Sequence, residues 1–123
     1  MGVILGVVGL GRIGAFHTAT LSTLPGVDGL VVTDERPAVT AAVAAEFGAK
    51  AVDSAAELIA SGVDGVVVAA ATPAHASLVL ACVDAGIPVF CEKPLAATPG
   101  ESVAVVTGIE SSGVPVQIGY NRR

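Results

Sequence analysis

The feature that most constrains the fold of this chain is a glycine-rich turn between an apolar run and a helical pattern. The apolar run at residues 3–8 leads into Gly9-Leu10-Gly11-Arg12-Ile13-Gly14, and a helical pattern covers residues 12–24. A second apolar run at residues 30–32 ends at Thr33-Asp34, so the acidic residue follows the last glycine by twenty positions. Strand, glycine turn, helix, strand and acidic residue in this order are the layout of a dinucleotide-binding βαβ unit.

Each residue of the turn has a physical role in that interpretation. Gly9 would allow the positive φ of a sharp turn, Gly11 would let the backbone approach a pyrophosphate, and Gly14 would let the helix pack closely on the first strand. Arg12 and Ile13 lie in the same predicted phosphate-binding turn, where exposed N–H groups and the positive end of the helix dipole attract phosphates. A tight turn without a ligand is the alternative, and the matching strand, helix and acidic residue disfavour it.

The remaining sequence continues the alternation of strand and helix. We predict helices at residues 37–47, 55–60, 74–85 and 99–111, and strands at 49–52, 64–71, 88–91 and 114–118. Six strands joined by helices indicate an α/β fold. We expect a doubly wound parallel sheet in the order 3-2-1-4-5-6, with helices on both faces and one domain over residues 1–123. Ligands of such sheets bind outside the carboxyl ends of the strands, where the order reverses between strands one and four.

Composition agrees with this fold and excludes several classes of function. Hydrophobic residues make up 53% of the chain and aromatic residues 3%, so aliphatic side chains must form the core, as in sheets covered on both faces. A net charge of −5 without a basic cluster argues against a nucleic-acid partner. The chain lacks a membrane-spanning run and a basic signal-peptide start, and Cys82 and Cys91 lack metal-ligand spacing. We therefore expect a cytoplasmic protein with buried free thiols, no metal and no membrane partner.

Two charged residues at the end of the second strand bear on the choice of cofactor. The Asp34 carboxylate would accept hydrogen bonds from the adenosine ribose and would repel a 2′-phosphate, which favours NAD over NADP. Arg36 leaves NADP open, because a guanidinium two residues further along could pair with a 2′-phosphate or stack on adenine. An ordinary solvated arginine is an equally weighted alternative.

The end of the fourth strand supplies further candidates at the same edge of the sheet. Thr72, Pro73, Ala74 and His75 would line the cofactor cleft there, and His75 is expected to contact the cofactor rather than to act as a catalyst. His17 lies in the first helix, where packing against the sheet is the expected role.

The string Glu92-Lys93-Pro94 places two opposite charges directly after the fifth strand. Lys93 can donate hydrogen bonds to a substrate hydroxyl and can stabilise the oxyanion charge that develops during hydride transfer. Pro94 would fix the conformation of the loop. A solvated loop ion pair fits the spacing at least as well, so the string alone does not assign a function.

Three longer strings resemble one family of oxidoreductases. They are GLGRIGAFHTATL, ATPAHASLVLACVDAGIPVFCEKPLA and VQIGYNRR. They resemble the N-terminal NAD(P)-binding Rossmann domain of the Gfo/Idh/MocA family, and in particular its inositol 2-dehydrogenase-like members. The resemblance covers essentially the whole chain, and it is most specific where EKP follows a strand at this distance from the glycine turn.

The resemblance implies an NAD(P)-dependent dehydrogenase that transfers a hydride between nicotinamide and a hydroxyl of a sugar, polyol or related compound. It makes Lys93 the catalytic and substrate-binding lysine, with Glu92 and Pro94 shaping the cofactor loop. It also identifies the three glycines as the pyrophosphate turn, Asp34 as the ribose ligand and Arg122 as a candidate at the substrate site.

The resemblance further implies a second α/β domain that supplies substrate contacts, catalytic Asp and His residues, and the interface of a homo-oligomer. Because the sequence ends at Arg123, we expect a cofactor domain that binds nucleotide and turns over little or no substrate. A binding module that senses the NAD redox state is the main alternative, and it would not need Lys93. An S-adenosylmethionine-dependent methyltransferase would explain neither Gly14 nor the EKP string.

Overall fold

The structure is a computed structural model, and it describes residues 2–92 and 99–119. Six strands alternate with five helices within these residues. None of the helices in the described ranges has the length and hydropathy that a bilayer span requires. The elements in chain order are β1 Val3–Val8, α1 Arg12–Ser22, β2 Val27–Thr33, α2 Pro37–Phe47, β3 Lys50–Ala51, α3 Ala55–Ala60, β4 Gly65–Val68, α4 Thr72–Asp84, β5 Val89–Glu92, α5 Pro99–Ser112 and β6 Val116–Gly119.

The six strands form one parallel sheet in the order β3-β2-β1-β4-β5-β6, which confirms the predicted topology. Near its centre, Val7 of β1 lies between Val32 of β2 and Val67 of β4. The strand order reverses between β1 and β4, so a crevice opens at the carboxyl ends of these two strands. The glycine turn follows β1 at this crevice.

Helices cover both faces of the sheet, as predicted, because successive side chains of a strand point to opposite sides. On one face, Val7 and Val32 pack with Leu21 of α1 and Val43 of α2. A larger cluster on the other face joins the strands to α3, α4 and α5, and its fully buried side chains include Leu58, Val79 and Val105. The two clusters pack the sheet between two helical layers, which fixes the relative positions of the strand ends.

The main difference from the predicted elements lies after β4. The apolar run predicts a longer strand, but β4 ends at Val68 and α4 begins two residues before its predicted start. The Ala69 N–H still bonds to the Val8 carbonyl at 2.8 Å, whereas the Ala70 carbonyl accepts a hydrogen bond from Nε2 of His75 at 2.7 Å. The chain therefore leaves the sheet at Ala70 instead of extending the strand.

Both cysteines are buried free thiols, which confirms that prediction. Cys82 lies on α4 and Cys91 on β5. Burial raises the pKa of the Cys82 thiol to about 11 and that of the Cys91 thiol to about 12. Both thiols are therefore protonated near neutral pH, and a protonated thiol is a poor nucleophile.

Candidate functional site

The glycine turn after β1 adopts the conformation that its sequence predicts. Gly9 has a φ of 94°, a value that residues with a side chain rarely adopt. A side chain on Gly14 would overlap the carbonyl oxygen of Gly9, so a glycine is required for α1 to approach the turn. Together the two glycines bring the start of α1 to the end of β1.

The amino end of α1 is open at this crevice. Gly11 is the N-cap, and it has no side chain to accept hydrogen bonds from the first-turn N–H groups. The first turn contains no acidic residue. A Cβ added to Gly11 would meet no atom within 4 Å, so there is room for a ligand beside the turn. Uncapped N–H groups at the positive end of a helix dipole favour an anion such as a phosphate.

Asp34 ties the end of β2 to the glycine turn. Its Oδ2 atom accepts a hydrogen bond from the Leu10 N–H at 2.7 Å, and its Oδ1 atom accepts one from the Arg36 N–H at 2.9 Å. Hydrogen bonding from the Arg36 side chain lowers the pKa of the Asp34 carboxyl to about 2. The carboxylate is therefore ionised throughout the physiological pH range, and it can accept charge-assisted hydrogen bonds from hydroxyl groups.

The Arg36 side chain is 62% exposed, and it uses the remaining acceptor capacity of Asp34. Its Nε donates to Oδ1 at 2.9 Å and its Nη2 donates to Oδ2 at 3.2 Å. With the two backbone bonds, the carboxylate accepts four hydrogen bonds, which is about the capacity of its two oxygens. A ribose hydroxyl must therefore displace the guanidinium to bind Asp34.

The turn and the acidic residue share a cleft of about 500 Å³ at the carboxyl edge of the sheet. This volume is within the range of small-molecule sites. Four of the predicted cofactor-binding residues line it: Gly9, Gly11, Asp34 and Arg36. The sequence reasoning missed other lining residues, among them Asp53, Ser54, Ala70, Ala71 and Leu78.

One sequence signal points to the missed wall of the cleft. Ser54 and Glu57 match the Ser-x-x-Glu capping pattern at the start of α3, and the Glu57 N–H donates to Ser54 Oγ at 3.1 Å. Because α3 follows β3, its start lies at the same edge of the sheet as the glycine turn. The capping motif therefore could have identified Ser54 as a neighbour of the cleft.

Of the four candidates after β4, Ala74 lines the cleft, and the other three are absent from its lining. Thr72 and Pro73 begin α4, and His75 is buried in the same helix. None of these three is among the described residues that line the cleft. His75 bonds to the carbonyl of Ala70, which does line the cleft, so its ring supports the wall from behind. A direct cofactor contact by any of the three stays a prediction.

Glu92, the last residue of β5, is buried and contacts α1. Its Oε2 atom lies 2.7 Å from Nε2 of His17. The His17 ring also packs edge-to-face against Phe90, with 5.7 Å between ring centroids, so the packing predicted for His17 is present. The polar contact is additional, and the sequence holds no signal for it because the two residues are 75 positions apart.

Three predicted residues, Lys93, Pro94 and Arg122, lie outside the part of the chain that the structure describes. Their roles stay predictions. In the described part of the chain, β5 ends at the carboxyl edge of the sheet with Glu92, the residue immediately before Lys93.

The described groups suit an extended ligand with a central diphosphate. The open amino end of α1 lies where the strand order reverses, at the end of β1. Asp34 lies at the end of the crevice next to β2, and Glu92 lies at the end next to β5. A helix amino end binds phosphates and a carboxylate binds sugar hydroxyls, so a dinucleotide fits this order of groups.

Sequence comparison places the chain in a known family. Residues 3–120 match the Gfo/Idh/MocA model, an oxidoreductase family with an NAD-binding Rossmann fold. The chain is 44% identical over 117 residues to the myo-inositol dehydrogenase Hyg17 of Streptomyces leeuwenhoekii, covering 94% of this chain and 36% of that protein. It is 44% identical over 128 residues to inositol 2-dehydrogenase 1 of Saccharopolyspora erythraea, covering 100% of this chain and 38% of that protein. The chain thus spans little more than a third of the length of these relatives.

Solved structures show the same fold. A Gfo/Idh/MocA family oxidoreductase from Vibrio cholerae has a TM-score of 0.89 at 28% identity, over 96% of this chain and 38% of that one. Myo-inositol 2-dehydrogenase from Lactobacillus plantarum has a TM-score of 0.90 at 25% identity, over 97% and 36%. The scyllo-inositol dehydrogenase of Lactobacillus casei, solved with NAD(H) and scyllo-inositol, shares the fold at 23% identity, with a TM-score of 0.90. The predicted fold, family and cofactor are confirmed: this chain belongs to the Gfo/Idh/MocA oxidoreductases, and residues 3–120 match their NAD-binding Rossmann fold.

Proposed function

We propose that this chain is the cofactor-binding part of an NAD-dependent dehydrogenase that acts on a hydroxyl group of an inositol-like polyol or a sugar. The single observation that carries the proposal is the uncapped amino end of α1 behind the glycine turn, because such a helix end requires water or an anion as its partner. The inositol dehydrogenases among its relatives support a polyol as the substrate class.

The described residues bind and orient the cofactor in this proposal. The N–H groups at the start of α1 hold the pyrophosphate, and Gly11 leaves the space that the phosphates occupy. Arg12 is exposed at the first position of the helix, where its charge adds to the attraction for phosphate. Ile13 continues the turn, and the α4 residues Thr72, Pro73 and His75 support the opposite wall.

The residues at the β2 end of the cleft bind the adenosine half of the cofactor and determine the preference between NAD and NADP. Asp34 would exchange the Arg36 side chain for the ribose hydroxyls of NAD. This exchange leaves the largely buried carboxylate its two backbone N–H donors and returns a guanidinium that is already 62% exposed to water. With NADP, the released guanidinium can pair with the 2′-phosphate while the Asp34 carboxylate repels it. We therefore propose that NAD binds more tightly and that NADP binds with lower affinity.

The β5 end of the site carries the chemistry. When bound, NAD would supply the acceptor for the hydride of the substrate carbon, and the His of the proposed second domain would take the hydroxyl proton. Lys93 is the proposed catalytic residue: its ammonium group donates hydrogen bonds to the substrate hydroxyl and stabilises the negative charge that develops on that oxygen. Glu92 and Pro94 shape the loop around Lys93, and Arg122 borders the substrate. These roles are supported by the resemblance of the EKP and C-terminal strings to the family.

The matched relatives are much longer than the chain, which spans 36% and 38% of two of them. We propose that a second domain of the complete protein supplies the substrate contacts and the interface of a homo-oligomer. Residues 1–123 alone should then bind NAD and turn over little or no polyol. The two buried free thiols support a reducing compartment, and hence the cytoplasm, as its location.

Calorimetric titration with NAD⁺ and NADP⁺ side by side tests the proposal. We expect saturable binding of both, tighter for NAD⁺. Gly11→Asp is the matched control, because an added side chain meets open space and aspartate is a good N-cap, so the fold is kept while the phosphate is repelled. Binding of neither nucleotide, or equal binding to Gly11→Asp, would contradict the proposal.

A further inference from the structure

We propose that His17 is a positioning residue for the nicotinamide end of the cofactor site, and that it acts through Glu92. The inference rests on the proposed function, since it concerns how the same cofactor is held. The observation behind it is the 2.7 Å contact between His17 Nε2 and Glu92 Oε2, which joins α1 to the carboxyl end of β5.

The contact is largely enclosed, and two aromatic rings lie against the imidazole. The side chains of His17 and Glu92 are 24% and 10% exposed. Phe90, two residues before Glu92, packs edge-to-face on the imidazole with 5.7 Å between centroids, and Phe16 does so with 5.8 Å. A hydrogen bond to a carboxylate is among the stronger ones, and one with little access to water is weakened little by solvent. The pair therefore holds α1 and β5 at a set distance.

The position of the pair assigns it to one half of the dinucleotide. Asp34, the ribose ligand of the adenosine half, ends β2 on one side of β1. A dinucleotide lies across the point where the strand order reverses, so its other half extends over the ends of β4 and β5. Glu92 is the end of β5. The pair therefore lies on the nicotinamide side of the pyrophosphate.

The helix that carries His17 is the helix whose amino end binds the pyrophosphate. Gly11 occupies the N-cap position of α1, and His17 lies on the same helix, where it contacts β5. Because a helix is rigid over this distance, the pair relates the phosphate position to the end of β5. Loss of the pair should therefore weaken contacts of the nicotinamide ring and leave those of the two riboses and the pyrophosphate intact.

Comparison of NAD⁺ with ADP-ribose tests this inference, because ADP-ribose contains both ribose groups and the pyrophosphate but lacks nicotinamide. The variant is His17→Phe, which keeps the aromatic packing on Phe90 and removes the partner of Glu92. We expect calorimetry to show about a tenfold loss of NAD⁺ affinity, the size expected for one hydrogen bond to a charged group, with ADP-ribose affinity unchanged. His17→Gln should restore most of the NAD⁺ affinity, since its amide can donate to Glu92.

Two further variants keep the test decisive. Thr20→Ala changes an exposed residue of α1 and should alter neither affinity. If the unpaired carboxylate prevents His17→Phe from folding, the double variant with Glu92→Gln removes the charge and is expected to show the same selective loss.

Equal losses for NAD⁺ and ADP-ribose would mean that His17 only stabilises the fold, and would overturn the inference. No loss for either ligand would overturn it as well. These outcomes differ from a failure of the proposed function, in which the unmodified chain binds neither ADP-ribose nor NAD⁺ and both proposals fall.

Discussion

The two ends of the candidate site hold their acidic residues in different ways. At the β2 end, Asp34 pairs with Arg36, two positions along the chain, and the guanidinium is 62% exposed. At the β5 end, Glu92 pairs with His17 across 75 positions, and both side chains are largely buried. When the exposed guanidinium leaves, the Asp34 side chain, which is itself 7% exposed, keeps its hydrogen bonds from the Leu10 and Arg36 N–H groups. Loss of His17 instead removes the side-chain partner that the structure shows for the buried Glu92 carboxylate. The β2 end is therefore suited to exchange its partner for a ligand, and the β5 end to keep its geometry.

The substitution that should distinguish the two ends most clearly is Lys93→Ala in the complete enzyme. The rate of polyol oxidation should fall by about 100- to 1000-fold, because one donor to the developing oxyanion is lost, while NAD⁺ affinity stays nearly intact. Steady-state kinetics and calorimetry on the same preparation measure the two effects. A redox-sensing module would show neither a rate nor an effect of the substitution.

Gly14→Ala tests the glycine turn, which lies between the two ends of the site. The added methyl group overlaps the Gly9 carbonyl, so we expect a loss of about 3 kcal/mol in the free energy of unfolding, together with loss of nucleotide binding. Gly11→Asp is the comparison, since it should lose binding and keep the stability of the chain. Urea denaturation separates the two variants. Equal stability of both would show that α1 can move away from the turn.

Asp34→Asn is expected to weaken NAD⁺ binding by about tenfold, because the ribose loses a charged acceptor.

The same variant tests the ion pair at the β2 end. The folded-state pKa of Asp34, about 2, lies below its ordinary value of 3.8, so its stabilising effect is present above pH 4 and is lost as the pH falls from 3.8 toward 2. Thermal unfolding should show the unmodified chain more stable than Asp34→Asn at pH 7, with the difference vanishing near pH 2. A difference that does not depend on pH would contradict this origin.

Arg36→Gln is expected to have the smallest effect. NADP⁺ affinity should fall by about fivefold, since an exposed guanidinium contributes modestly, and NAD⁺ affinity should stay equal or rise because Asp34 no longer has to exchange a partner. Competition between the two nucleotides at fixed ionic strength measures the ratio. An unchanged ratio would identify Arg36 as a solvated side chain without a ligand.

The local parts of the site could be predicted from the sequence because each depends on residues close together in the chain. Gly9 and Gly14 are required by backbone geometry within one turn, and Asp34 follows the next strand at a spacing that a βαβ unit sets. The alternation of apolar runs and helical patterns likewise predicted the order of the strands. The end of β4 could not be predicted, because the bond from His75 to the Ala70 carbonyl competes with extension of the strand.

By itself, the sequence determined the parallel sheet, the glycine turn and the acidic residue of the cleft, since glycine conformation, side-chain periodicity and short spacings are properties of neighbouring residues. Only the tertiary structure decided that Ser54 and Leu78 complete the cleft and that His17 meets Glu92. These contacts arise where separate strands and helices are packed against one another, and the distances between their side chains are set by that packing rather than by their spacing in the chain.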